Sequence, residues 1–402
     1  MAGGWNNQFV NENRDDLIRS YFYSGFTYAE IVLMLSTRHN VRIGVSHLKR
    51  ILRKMGLKRK NLNFDIENVI QCISNELRGS GSSMGYRAMH QKLRSVYNLQ
   101  VDQETVRLCL KTLDPEGVEE RSKRRLRRRV YISKGPNYQW HIDGYDKLRP
   151  FGFFIHGCID GFSRKILWLE VAESNHDPKL IANYFVNSVA AIKAIPAGIR
   201  ADRGTENVVI AAIQRWLHWS IFGNNGACDS FQYVRSTSNQ RIESWWSFLR
   251  RYGGANWWIN YFKDLRDSGG FNHEDLIQRA CLQFCFMSII QKDLDSIRIR
   301  WNSHKIRATR HQECPPGKPD VLYHLPDIHG VEDYKLPLHN HLLEMLHPLT
   351  REKNPFGCDE IFADAFRLLM TENGWRMPST HDEALVLYCD LVATCSDRIR
   401  GG

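Results

Sequence analysis

Residues 138–171 read YQWHIDGYDKLRPFGFFIHGCIDGFSRKILWLEV, and the fold turns on this stretch. Tyr138 to Tyr145 contains a strand. Phe151 to Ile159 and Lys165 to Val171 are apolar, aromatic runs, and Asp160-Gly161-Phe162-Ser163 between them suits a hairpin. Downstream, Asp177-Pro178 is a cap followed by a first-turn proline, which opens a helix to about Ala194. Ile199-Arg200-Ala201 is a short strand stopping at Asp202. A helix from about Val208 to Trp216, a strand over Phe231 to Val234 and a helix from about Asn239 to Arg250 follow. Strands that give way to alternating helices and strands predict an α/β sheet with helices packed on its faces.

Upstream, residues 14–60 predict three short helices. Asp15 to Tyr23 is the first, and Gly25 breaks it. Thr27-Tyr28-Ala29-Glu30 is a capping box opening the second, which ends at His39-Asn40. Ser46 is the N-cap expected for the third, with Leu48, Ile51, Leu52 and Met55 on one face. Lys49, Arg50, Arg53 and Lys54 then fall on the other side, as a helix-turn-helix module would be written. Residues 64–114 predict a second helical module. Its apolar stripe is Ile66, Val69, Ile70, Ile73 and Leu77; a flexible break follows at Gly79 to Ser83. Gly85-Tyr86-Arg87 leads into a helix through Leu93, and Asp102 caps another carrying Val106, Leu110 and Leu113.

The charge is unevenly spread. The 402 residues carry a net +11, but Met1 to Gln139 holds 25 Lys/Arg against 13 Asp/Glu, which is +12. The remainder, with 30 against 31, is close to neutral. A positive front end on a neutral body predicts a polyanion partner for the front end. Its densest stretch is Arg121 to Arg129, seven basic residues in nine, including Arg124, Arg125, Arg127 and Arg128. Such a linker lies along phosphates or serves as a nuclear-localisation signal. No apolar run approaches the roughly 18 residues a membrane span needs, and the first residues lack a signal pattern, so a soluble, intracellular protein is expected. The ten cysteines include no CxxC pair, and Cys281 and Cys285 read as reduced core residues of a helix.

Three carboxylates stand at informative places: Asp143 within the first strand, Asp202 at the end of a later one, and Glu243 in the first turn of a helix. Two-metal phosphoryl transfer needs acidic oxygens converging on two cations about 3.5–4 Å apart. Among 44 acidic residues, spacing alone does not single these out.

Their neighbours do. Trp140-His141-Ile142-Asp143-Gly144, Asp160-Gly161-Phe162-Ser163-Arg164, Ala201-Asp202-Arg203-Gly204-Thr205-Glu206-Asn207 and Ser236 to Ser244 resemble, in sequence and in order, the retroviral and transposon integrase core. The resemblance covers about Tyr138 to Arg250. It implies a ribonuclease-H-like α/β core, a mixed sheet with helices on both faces, performing metal-dependent DNA end processing and strand transfer. It makes Asp143, Asp202 and Glu243 the catalytic residues and the ligands of two Mg²⁺ (or Mn²⁺) ions. It places Asn239 and Gln240 in a mobile DNA-touching loop, and Arg241 beside it would steer phosphates. Trp301 to Arg307 and Cys314-Pro315-Pro316-Gly317 look like the tail that follows many integrase cores. Asp146, Asp160 and Glu206 are expected as turn or surface residues without a role. The tryptophan pairs Trp245-Trp246 and Trp257-Trp258 are expected to pack the core.

The chain departs from the retroviral pattern in two ways. Forty residues separate Asp202 from Glu243, with the extra length expected as a loop around Phe222 to Asp229. The front end has no paired His and Cys, so no structural zinc is expected and helix-turn-helix modules stand in its place. The layout is similar to animal integrase-core proteins related to Ginger-like DNA transposons. The expected organisation is a helix-turn-helix module over 14–60, a second helical module over 64–114, a basic linker over 115–137, the catalytic core over 138–268 and a helical region of unassigned role over 269–402. The expected partner is double-stranded DNA, met in the nucleus by a homo-oligomer. Two further readings compete: a domesticated, catalytically silent DNA-binding protein, and a general nuclease of the same fold.

Overall fold

The 138–171 hairpin forms the antiparallel half of a five-stranded sheet in the computed structural model, which describes residues 13–58, 64–122, 133–223, 227–235, 238–308 and 314–401. Strands β1 (Trp140–Tyr145), β2 (Phe154–Asp160) and β3 (Ile166–Ala172) pair antiparallel. After the two-residue β4 (Ala194–Ile195), β5 (Ile199–Ala201) pairs parallel with β1 and β6 (Phe231–Tyr233) parallel with β5. The order is β3-β2-β1-β5-β6, while β4 pairs apart with β7 (Leu336–Pro337).

Asp160, expected as a turn or surface residue, opens the turn between β2 and β3 and is wholly buried. It accepts hydrogen bonds from the Asn137 and Ser163 backbone N–H groups at 2.8 Å each and from Ser163 Oγ at 2.7 Å. Burial pushes its carboxyl up to about 6, against those three donors. Its oxygens stand in for the missing backbone acceptors of a tight turn.

Among the described residues, seven α-helices precede the sheet: α1 (Arg14–Tyr23), α2 (Tyr28–His39), α3 (Val45–Lys54), α4 (Ile66–Arg78), α5 (Tyr86–Ser95), α6 (Gln103–Leu113) and α7 (Pro115–Ser122). The Thr27–Glu30 capping box of α2 forms as expected. The cap of α3 is Gly44 rather than Ser46, because extended backbone persists only to Gly44 and Ser46 already lies in the first turn. Residues Ser80–Ser83 are a 3₁₀ turn, not a flexible break. Gly81 is buried there, and a Cβ would stand 2.6 Å from the Glu76 carboxylate, so only glycine fits. Of the α4 stripe, Val69 and Ile73 are buried while Ile66 and Ile70 face solvent. The segment expected as linker begins with α7, and Arg124, Arg125, Arg127 and Arg128 lie outside the described residues.

Within and after the sheet come α8 (Pro178–Ile192), α9 (Val208–Phe222), α10 (Gln240–Tyr252), α11 (Ala255–Asp267), α12 (Leu276–Ser303), α13 (Pro319–His324), α14 (Asn340–Glu344), α15 (Glu360–Asn373) and α16 (His381–Gly401). Helix α9 runs about one and a half turns past Trp216, to Phe222, where the expected loop begins. Strand alternation sorts the side chains onto two faces. Trp140, Ile142, Cys158 and Trp168 pack beneath α8 and α9. Tyr145, Ile155, Ile159, Leu169 and Val171 pack beneath α10, α11 and α12, joined by Cys281 and Cys285. Both tryptophan pairs belong to that second core, Trp257 at its margin. Helix α12 therefore lies on the sheet face, in one core with the helix that carries Glu243.

The expected tail after the core ties down the hairpin. Asn302 holds both backbone groups of Ile166, accepting from its N–H at 2.8 Å and donating to its carbonyl at 2.9 Å. Trp301 Nε1 donates to the Arg164 carbonyl at 2.6 Å. The front end is docked as well. Val321 of α13 and Leu325 just past its end enter the α1–α3 core, and Lys318 Nζ donates to the Gly25 carbonyl and to Glu30. Gln91 of α5 donates to the Arg300 carbonyl and to Ser303 Oγ of α12.

Candidate active site

Pairing between β1 and β5 sets Trp140 beside Ile199 and His141 beside Arg200. Continued two residues, that register brings Asp143 level with Asp202, where β5 has just ended. Helix α10 crosses the same face of β1 and carries Glu243 in its first turn. The three carboxylates thus share one end of the sheet, although they are far apart in sequence. All three are half-buried.

The carboxylates feel one another. The Asp143 carboxyl is pushed up to about 8, chiefly by burial and then by the Asp202 charge; a hydrogen bond from Trp246 opposes the shift and Glu243 adds to it. Glu243 is raised by burial and by Asp202. Asp202 is raised by burial and by Asp146, and Glu206 by burial, Asp202 and Asp146. Negative charge is crowded here. Oxygen donors whose ionised forms repel one another are the chemistry that hard divalent cations complement. The chemistry of these donors therefore suits such an ion. Among the described residues, however, no three His, Cys, Asp or Glu side chains stand close enough together to hold a metal.

Asn239 departs from its expected place in a DNA-touching loop. It is buried; its Nδ2 donates to the Ile142 carbonyl at 2.9 Å, and its Oδ1 meets His141 Nδ1 at 2.7 Å. Because Nδ2 serves the carbonyl, Oδ1 accepts and His141 Nδ1 carries the proton. His141 is neutral, its imidazole pushed down to about 3 mainly by burial. The pair latches the start of α10 to the two residues before Asp143. Gln240 is half-buried beside it. Arg241 is also engaged with protein: Nε donates to the Gly161 carbonyl at 2.9 Å and a terminal nitrogen reaches Cys314 Sγ at 3.0 Å. Both side chains are held because the 160–164 turn and strand β1 expose polar backbone groups that would otherwise be unpaired.

Lys49, Arg50, Arg53 and Lys54 are exposed along α3, opposite the buried Leu48, Ile51 and Leu52. Two residues for which the sequence predicts no site role border the carboxylates. Trp246, expected only as core, donates to Asp143 Oδ2 at 2.8 Å. Asn175 is buried and donates to Asp146 Oδ1 at 3.0 Å and to the Ile155 carbonyl at 2.9 Å. The Trp246 spacing, three residues past Glu243, is the one sequence signal that would have found it. Nothing in the pattern marks Asn175.

Among the described residues no helix is long and apolar enough to cross a membrane. Comparison with curated proteins gives no match to this chain. Residues 130–319 match the family model described as the integrase core domain, and this span holds the sheet, all three carboxylates and the tail that braces the hairpin.

Proposed function

We propose that the chain catalyses divalent-metal-dependent phosphoryl transfer on double-stranded DNA, processing ends and joining them, as a transposase does. The observation that carries this reading is the meeting of Asp143, Asp202 and Glu243 at one sheet end, where each lies in an environment that disfavours its charge. Two Mg²⁺ or Mn²⁺ ions, when bound, would activate the attacking oxygen and stabilise the leaving one. Asp143, Asp202 and Glu243 would hold them. Asn239 and His141 keep the strand and helix that bear Asp143 and Glu243 in register. The basic face of α3 and the 121–129 stretch hold the DNA backbone, and joining two ends calls for more than one subunit. The nucleus is where such DNA is met.

Plasmid nicking tests the reaction without knowledge of the cognate ends. With Mn²⁺ or Mg²⁺, wild type should relax supercoiled DNA, and Asp202→Asn and Glu243→Gln should each lose about a thousandfold or more, since their chemistry is electrostatic. Equal nicking by all three proteins would refute the assignment. A second reading, a DNA-binding protein that has lost the reaction, draws support from the finding that, among the described residues, no three such side chains are gathered closely enough to hold a metal. It predicts no nicking by any of the three, with DNA binding retained.

DNA binding makes its own prediction. Changing Lys49, Arg50, Arg53 and Lys54 together to Gln should flatten the salt dependence of binding, by about 0.9 in log–log slope for each phosphate no longer neutralised. Fluorescence anisotropy with duplex DNA across a salt series measures it. A slope equal to wild type would remove α3 from the interface.

A further inference from the structure

Trp246 lies three residues past Glu243 on α10, and two features fix its indole. Asp143 and Gly157 are partners across the β1–β2 ladder. Where Gly157 lacks a side chain, the indole fills the gap: a Cβ there would stand 2.8 Å from Trp246 Cη2 and 3.4 Å from Cζ2. Tyr145 and Trp245 flank it, with ring centroids 5.3 and 5.2 Å away. From that slot Nε1 donates to Asp143 Oδ2 at 2.8 Å.

An indole has one donor and no acceptor, so the bond has a single sense. A carboxylate held at one oxygen by a wedged ring cannot turn about its Cβ–Cγ bond without breaking that bond. The donor is also neutral. Lysine or arginine in its place would orient Asp143 but would cancel the charge a cation needs. A neutral donor orients the group and leaves its charge in place.

Resting on the reaction proposed above, we propose that Trp246 is a positioning residue that presets the Asp143 carboxylate to receive a divalent cation, and that Gly157 exists to admit its ring. Packing alone would use the ring but not the N–H.

Two variants separate donor from ring. Trp246→Phe keeps an aromatic ring in the slot and removes the donor. Trp246→Gln keeps an N–H at the same number of bonds from Cα and removes the ring. Mg²⁺ titrated into the full chain without DNA is read by the rise in melting temperature, and plasmid nicking is read against Mn²⁺ concentration. Each variant is measured where circular dichroism shows it folded. The metal midpoint should rise roughly 10–100-fold in Trp246→Phe, the usual effect of losing a group that orients a metal ligand. It should recover towards wild type in Trp246→Gln, although that variant melts lower without metal. The nicking rate at saturating metal should change less than the midpoint.

A wild-type midpoint in Trp246→Phe overturns the proposal, as does a midpoint lost in Trp246→Gln and kept in Trp246→Phe. If wild type nicks and all three midpoints agree, only the positioning role falls. If Mg²⁺ stabilises wild type in the Trp246-dependent manner but no DNA is cut, the positioning stands and the reaction falls. If wild type neither nicks nor gains melting temperature with Mg²⁺, both fall.

Discussion

Asp143→Asn should abolish metal-dependent nicking and, at pH 8, raise the melting temperature of the metal-free protein. The two effects share one cause. The Asp143 carboxyl rises from an ordinary 3.8 to about 8 because burial and the neighbouring acids disfavour its charge. Between those values the folded chain holds a proton that the unfolded chain has released. Stability from this group is therefore complete below about pH 4 and is lost as pH climbs towards 8. At about 1.4 kcal/mol per unit, the loss near pH 8 is on the order of a few kcal/mol. Asparagine has the same shape, can still accept from Trp246 through its Oδ1, and carries no charge to bury.

The gain in melting temperature should accordingly vanish near pH 4 and grow to pH 8. Saturating Mg²⁺ should reverse it, because an ion that binds the folded state stabilises wild type alone. Calorimetry at pH 4, 6 and 8, with and without Mg²⁺, measures this. If Asp143→Asn instead melts below wild type at pH 8, Asp143 is a structural anion. The activity loss should reach about a thousandfold or more, as expected where a charged group stabilises a transition state.

Asn239→Ala should unfold more easily and cut more slowly. The substitution strands the buried His141 N–H and the Ile142 carbonyl, at about 1–3 kcal/mol for each unsatisfied group. A total of about 2–6 kcal/mol, read as a lower urea midpoint at unchanged slope, is expected on that scale. The same bonds tie the start of α10 to β1, so Glu243 should drift relative to Asp143. Misplacement by about 1 Å can cost on the order of a hundredfold in rate. Asn239→Asp is the discriminating control. It keeps an acceptor for His141 and loses the donor to Ile142, so its rate and stability should fall between the two. Had Asn239 served the DNA instead, Ala would weaken DNA binding and leave the urea midpoint alone.

Buried polar groups recur around this site, and they explain how far sequence carries. The hairpin, the strand before Asp202 and the helix bearing Glu243 were legible because backbone hydrogen bonding and apolar alternation are local rules, written within a few residues. The Thr27 capping box is legible for the same reason: donor and acceptor lie three residues apart. The three carboxylates came from motif resemblance and not from spacing. The burial of Asp160 was not legible because its partners include Asn137, 23 residues away, and a charged residue in a turn ordinarily faces water.

What the sequence by itself determined is the alternation of strands and helices, the positive front end and the identity of the acidic residues. Only the tertiary structure decided what each polar side chain does. Asn239 turns inward as a latch, Arg241 braces the hairpin turn, Trp246 reaches Asp143, and α12 lies on the sheet beside α10. The physical reason is reach. Local periodicity fixes which face a residue occupies, but a hydrogen bond is chosen by whichever unpaired group lies within about 3 Å once distant strands and helices have packed.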